Sequence, residues 1–278
     1  MVQKNIIFNS FKESLALIWK NKSLFLLLFF MQISFFVVFS IINITSQTKI
    51  LENTKAITDY ISQQKLDEAS ATDAVLQQKS ILGDDPLMIS RNFNDIVKNF
   101  RIYLVYVFIL LIIFIAIAWT LTCKIIHKIN FRQLINVFLK NIIVLLFYLG
   151  LIFLFFYSLL NISITQLAAE SSMLFIKYLV FLIVSIILAY FMFISTSLTN
   201  HVELKNIVQR TLSIGIRKAH YVLSVYFINI ILFIVSIVLM YYFIEKNSFI
   251  LLLSVILLIF SFVFGRIFII NVFEKLKH

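Results

Sequence analysis

Residues 131–161, FRQLINVFLKNIIVLLFYLGLIFLFFYSLLN, decide the fold, because a short basic segment runs without a break into a long apolar one. At about 1.5 Å per residue, about twenty helical residues cross a hydrocarbon core about 30 Å thick. Further apolar runs meet this requirement, and none alternates in the manner of a β-barrel strand. The predicted spans are residues 23–44, 103–122, 142–161, 174–195, 221–244 and 249–272. The sequence therefore predicts an all-α, polytopic membrane helix bundle of about six transmembrane helices, forming a single membrane domain over residues 1–278.

A basic segment followed by a span occurs three times along the chain. The three segments are residues 11–21, FKESLALIWKN, residues 131–141, FRQLINVFLKN, and, more loosely, residues 210–219, RTLSIGIRKA. We interpret them as parts of basic amphipathic helices on the membrane surface. The first such helix is predicted over residues 1–22, where Ile7, Phe11, Leu15 and Ile18 share one face. In the connector 199–220, Ile207, Leu212 and Ile216 are expected to form the apolar side. A docking helix for a partner is the alternative interpretation of the first segment.

The charge distribution predicts how the chain is oriented. The chain is 62% hydrophobic and carries a net charge of +11, from 24 Lys and Arg against 13 Asp and Glu. Most of these bases lie on one predicted side, where Glu13, Glu203 and Glu274 are the only acids. The positive-inside rule then places both termini in the cytoplasm and the protein in the plasma membrane. Anionic lipid headgroups on that side explain the basic charge without nucleic acid, with a second membrane protein as a further candidate partner.

Residues 46–101 form the long hydrophilic stretch, which is predicted to be an extracytoplasmic helical insert. Ile50, Thr54, Ile57 and Ile61 recur at helical spacing, so we expect a helix to continue outward from the first span. Asp85 and Pro86 match the N-cap and first turn of a second helix. Asp84 and Asp85 as half of a cation site is the less favoured alternative, because no second carboxylate cluster follows at fixed spacing.

Catalytic and metal-binding patterns have little support. No GxSxG, HExxH or P-loop motif occurs, so we predict no enzyme activity, no catalytic residues and no cofactor. Cys123 and His127 lie four residues apart and could bind zinc together with His201 or His220. Since no paired CxxC or HxxxH spacing is present, we predict that these residues form no metal site.

Arg266 is the most distinctive candidate for a binding residue. It lies well inside the last predicted span, directly after Gly265, and no span contains an Asp or Glu to pair with it. A charge at mid-span costs about 2.5–3.5 kcal/mol on insertion scales. Arg266 therefore either snorkels to the cytoplasmic surface or binds a lipid headgroup, and in the second case Lys124 and Arg217 are expected to contribute.

The two segments that begin at Phe11 and Phe131, each F-[KR]-[EQ] followed by K-N, together with the even number of spans, resemble six-span membrane families of bacteria and archaea. These families include the membrane domain fused to some glycerophosphodiester phosphodiesterases. The phosphodiesterase domain and its metal-binding acids are missing from this sequence, so the resemblance implies the topology and not that activity.

The polar content of the spans favours a packed bundle. Small residues such as Ser254, Ser261 and Gly265 share a helical face, which is typical of close helix packing, with a polar substrate path as the alternative. No predicted span contains the Pro that often breaks transporter helices. We therefore predict a non-enzymatic structural, scaffold or lipid-interacting accessory protein. A permease or transporter for a small or lipid-like solute is the alternative.

Overall fold

The structure, a computed structural model, describes residues 6–63, 87–127, 129–159 and 171–276. Within these ranges the regular elements are helices: α1 (Ile6–Lys20), α2 (Lys22–Gln63), α3 (Leu87–His127), α4 (Phe131–Leu159), α5 (Ser171–Leu198), α6 (Leu204–Arg217), α7 (Ala219–Phe243) and α8 (Ser248–Lys275). Six of them, α2 to α5, α7 and α8, are long and apolar enough to cross a membrane. The predicted all-α bundle is confirmed, and the protein is an integral, multi-pass membrane protein.

The helices α2 and α3 are longer than a span requires. They contain 42 and 41 residues, so each is about 60 Å long, twice the thickness of a hydrocarbon core. The expected continuation of the first span as a helix through Ile61 is confirmed. Asp84, Asp85 and Pro86 lie outside the described residues. The extracytoplasmic position of the insert and the single-domain assignment stay predictions.

The three basic segments differ in how they join their spans. The first and third form separate helices, α1 and α6, whereas the second is continuous with its span in α4. The asparagine of the Lys-Asn pair has the same structural role in the first two. Asn21 donates from Nδ2 to the Ile125 carbonyl at 3.2 Å, and Asn141 donates from Nδ2 to Thr120 Oγ1 at 3.0 Å. Both asparagines therefore attach their segment to α3.

The apolar face of α1 packs against α8. Ile18 is buried, and Ile7, Phe11 and Leu15 pack on the same core, which confirms the predicted face. Phe11 makes edge-to-face contacts with two phenylalanines of α8, and Lys275 pairs with Glu13 at 2.6 Å. The position of this helix on the membrane surface stays a prediction, and its half-buried apolar face packs against α8.

The buried face of α6 differs from the predicted one. Ile207, Thr211 and Ile214 are buried, whereas Leu212 and Ile216 are exposed. The physical reason is the helical period of 3.6 residues, which places Leu212 about 140° around the helix from Ile207. The prediction that Ile207, Leu212 and Ile216 form one apolar side is therefore wrong.

The chain divides into two compact units. Unit 1 contains Met1–Phe36, Leu111–Ile152 and Ile183–His278, and its core is built around α8, where Phe264, Phe268 and Phe273 are fully buried. Unit 2 contains Val37–Leu110 and Phe153–Leu182. Aromatic contacts hold unit 2 together, for example the stacked rings of Phe108 and Phe153, whose centroids are 4.7 Å apart.

Candidate functional site

A cavity of about 210 Å³ lies within unit 1, among α2, α3, α5 and α8. Two of its lining residues are polar, Gln32 from α2 and Arg266 from α8. The others are apolar and include Trp119 and Phe193, whose rings stack with centroids 6.2 Å apart. The cavity wall is therefore mostly apolar, and Arg266 is the single cation among the described residues that line it.

The guanidinium of Arg266 is only partly satisfied. Its Nη1 donates to Gln32 Oε1 at 3.1 Å. Its Nε and Nη2 are inaccessible to solvent and have no acceptor among the residues that the structure describes. A guanidinium carries five N–H donors, and a buried donor without an acceptor costs about 1–3 kcal/mol. Arg266 therefore lines the apolar cavity and has two donors without an acceptor among the described residues, but these two donors are buried and face an acceptor in the cavity only after the side chain turns.

Arg266 and Gln32 lie at matching depths. Arg266 precedes Lys275, at the end of α8, by nine residues, and Gln32 follows Lys22, at the start of α2, by ten. At about 1.5 Å per residue these separations are about 14 and 15 Å, close to half of a hydrocarbon core about 30 Å thick. The guanidinium therefore reaches sideways to another span instead of extending along α8 to its end.

Gly265 brings α7 close to α8, as expected from the small residues that share its helical face. A Cβ atom at Gly265 would lie 3.1 Å from Asn229 Oδ1 on α7. Neither polar atom of the Asn229 side chain has a hydrogen-bond partner within the described ranges. Nearby, Ser236 and Ser261 approach to 3.4 Å between their hydroxyl oxygens, so the stripe of Ser254, Ser261 and Gly265 is a helix interface.

The residues predicted to cooperate with Arg266 lie elsewhere. Lys124 is half-buried near the end of α3, and Arg217 is exposed at the end of α6. Neither lines the cavity, and their contribution to headgroup binding stays a prediction. Gln32 is the residue that the sequence analysis missed. Its depth, which matches that of Arg266, was the available signal.

The histidines are distributed over two places. His127, the last residue of α3, meets His201 from the α5–α6 loop, with 3.1 Å between their Nε2 atoms. Glu274, near the end of α8, contacts both rings. His220 lies apart from them, with its ring 4.1 Å from that of Tyr221, and Cys123 is buried in the core. These positions do not test the predicted absence of a metal site. They do bring two of the candidate ligands, His127 and His201, together with Glu274.

The geometry is that of a membrane helix bundle with an apolar cavity lined by Gln32 and Arg266. The resemblance to six-span prokaryotic families stays a prediction. No protein-family model, curated protein or solved structure matches this chain.

Proposed function

We propose that this protein binds an anionic amphiphile, a membrane lipid or lipid-like acid, inside the bundle and holds its acidic group at Arg266. The observation that carries the proposal is that Arg266 lines an apolar cavity while two of its donor atoms, Nε and Nη2, have no acceptor among the described residues. Both atoms are buried, so the proposal includes a turn of the Arg266 side chain toward the cavity when the ligand binds. The resulting role is that of a lipid-interacting accessory protein.

The chemistry of the cavity suits both parts of such a ligand. A guanidinium binds a carboxylate or phosphate through two parallel N–H···O bonds, and these bonds strengthen where water is excluded. The aromatic and aliphatic wall suits a hydrocarbon chain. The described lining residues include no Ser, Cys, His, Asp or Glu that would act as a nucleophile or base. A binding role is therefore better supported than catalysis.

We expect Arg266→Met to lose bound anionic lipid. Hydrogen bonds to a charged group contribute about 1.5–3 kcal/mol, which corresponds to about a 10- to 100-fold loss of affinity. Native mass spectrometry of the full-length protein, with an anionic and a zwitterionic phospholipid added in turn, measures retention of each. Arg132→Met is the matched control, because it removes the same charge from an exposed position. Equal retention by both variants would contradict the proposal.

One measurement, of flux across a bilayer, distinguishes a permease from an accessory protein. Proteoliposomes loaded with a fluorescent fatty acid report whether the protein moves an anionic amphiphile across the bilayer. Binding that depends on Arg266 without protein-dependent flux supports the accessory role. Flux that is lost in Arg266→Met supports a permease that uses the same site.

The proposed location is the plasma membrane with both termini in the cytoplasm. We expect Asp59→Cys, at an exposed position of α2, to react with an impermeant maleimide in intact cells. Lys205→Cys, at an exposed position of α6, should react only after permeabilisation. Cys123→Ala serves as the background for both, since Cys123 is the single native cysteine. The reverse pattern of labelling would invert the orientation.

A further inference from the structure

Three side chains from distant parts of unit 1 converge at one end of the bundle. The Nε2 atoms of His127 and His201 are 3.1 Å apart, and His201 Nε2 is 3.1 Å from Glu274 Oε1. His127 Nε2 is in still closer contact with the same carboxylate oxygen. These atoms come from the end of α3, the α5–α6 loop and the end of α8, so the cluster is created by the tertiary fold.

Hydrogen bonds alone cannot account for all three contacts among these atoms. A histidine Nε2 atom is either a donor or an acceptor, and each proton makes one linear hydrogen bond. At most two of the three contacts can therefore be linear hydrogen bonds. If both rings donate to Glu274, two N–H groups face each other at 3.1 Å. A cation at the centre removes this conflict, because all three atoms then present lone pairs to one positive charge.

Two of the three separations fit a tetrahedral metal ion. Nitrogen and oxygen ligands bind zinc at about 2.0–2.2 Å, which separates two tetrahedral ligand atoms by about 3.3 Å. The two separations that involve His201 Nε2 are 3.1 Å and are close to this value. The contact of His127 with Glu274 is shorter, so the proposal includes a small movement of these two side chains apart when the ion binds. Two histidines and one glutamate are also a recurrent zinc donor set that keeps a fourth position open for water or another ligand.

The surroundings hold the ligands in place and leave the site accessible. Lys140 of α4 donates to the Thr199 and Val202 carbonyls at 3.2 Å, which holds the loop that carries His201. The His127, His201 and Glu274 side chains are 18%, 35% and 23% exposed, so an ion can reach them from solvent. The Asn200 amide is 3.4 Å from His201 Nε2 and is available as a further polar neighbour.

We propose that His127, His201 and Glu274 bind one divalent transition-metal ion of the zinc class. The ion joins the ends of α3 and α8 to the α5–α6 loop and keeps a coordination position open to solvent. This site is separate from the Arg266 cavity, and none of its three ligands lines that cavity. It also reverses the expectation from sequence spacing, which considered Cys123 and His220 as partners and did not consider Glu274.

The test uses full-length protein purified with a tag that contains no histidine and freed of metal with a chelator. Cobalt(II) is titrated into the protein and then displaced with zinc, while the visible absorption reports the coordination of cobalt. We expect one equivalent to bind per chain with the intense absorption of tetrahedral cobalt. His201→Ala and Glu274→Gln should each weaken binding by about 100-fold or more, since even residues that only orient a ligand contribute about 10–100-fold.

His220→Ala is the matched control, because it removes a histidine that lies outside the cluster. It should leave both stoichiometry and affinity unchanged. Binding that is equally strong in His201→Ala and Glu274→Gln, or equally weakened in His220→Ala, would overturn the proposal. If a variant does not fold, the cobalt absorption of the unsubstituted protein is the test of the proposal. The weak spectrum of hexa-aqua cobalt, unchanged by added protein, would mean that the cluster is a hydrogen-bonded group only.

Discussion

Gln32→Leu is expected to destabilise the protein, and adding Arg266→Met is expected to reverse the loss. The single substitution removes the acceptor of the Arg266 Nη1 proton and leaves the cation without its partner in the cavity. Hydrogen bonds to charged groups contribute about 1.5–3 kcal/mol, so we expect the free energy of unfolding to fall by about that amount. In the double variant no charge remains to be satisfied, and apolar side chains that replace buried charges often stabilise by about 1–4 kcal/mol.

The free energies of unfolding in a denaturant titration, for the wild type, both single variants and the double variant, give the coupling between the two positions. Gln47→Leu is the control for the change from amide to apolar side chain, because Gln47 is exposed on the same helix, and we expect a change within about 0.5 kcal/mol. If the double variant were as unstable as Gln32→Leu alone, the unmatched cation would not be the cause.

The same experiment bears on function. Arg266→Met alone is expected to be at least as stable as the wild type, because it removes two donors that have no acceptor in the described structure. A buried charge that lowers stability is typical of a residue kept for activity. Higher stability together with loss of bound anionic lipid would therefore identify Arg266 as a binding residue. Lower stability would identify it as a packing residue.

Gly215→Ala and Gly150→Ala are expected to change stability in opposite directions. A Cβ atom at Gly215 would lie 2.7 Å from Phe191 Cε1 and 3.1 Å from Ile194 Cδ1, so the Phe191 ring and the Ile194 side chain would have to shift or α6 would have to move away from α5. Overpacking of this kind costs about 1–3 kcal/mol. A movement of α6 would also disturb the hydrogen bond of 2.7 Å from the Tyr190 hydroxyl to the Gly215 carbonyl.

Gly150 provides the matched control within α4. Apart from the adjacent part of its own helix, no atom of the described residues lies within 4 Å of the position that its Cβ would occupy, and alanine is favoured over glycine in a helix by about 0.5–1 kcal/mol. Thermal unfolding of the two variants in the same detergent should move the midpoint down for Gly215→Ala and slightly up for Gly150→Ala. A neutral Gly215→Ala would show that the α5–α6 contact is looser than the structure indicates.

The spans were predictable because their signal is local. A continuous apolar run of sufficient length specifies a membrane helix whatever its neighbours are, and the helical spacing through Ile61 extended α2 correctly. The buried faces were harder to predict. Leu212 and Ile216 are apolar but exposed, whereas Thr211 is buried. In a membrane protein, apolar side chains suit lipid as well as the interior, so hydrophobicity alone does not identify the packed face.

The polar contacts depend on which helices are neighbours, and the sequence does not specify this. Gln32 and Arg266 are 234 residues apart, and their shared depth in the spans was the usable clue. The cluster of His127, His201 and Glu274 requires three separate elements to meet. Glu274 looked like one acid on a basic surface, and only the fold shows that two histidines face it.

The contact between α1 and α8 has a consequence for biosynthesis. Asn271 Nδ2 donates to the Ser10 carbonyl at 3.1 Å and lies 3.3 Å from Ser14 Oγ, although Ser14 and Asn271 are separated by 257 residues. At about 5–20 residues per second, the ribosome needs about 12–50 s to add the partner of α1 after α1 itself. The polar and apolar groups of α1 stay uncovered for that interval, and a chain truncated before α8 would leave them uncovered permanently. The packing of α1 therefore depends on a helix that is synthesised more than two hundred residues later.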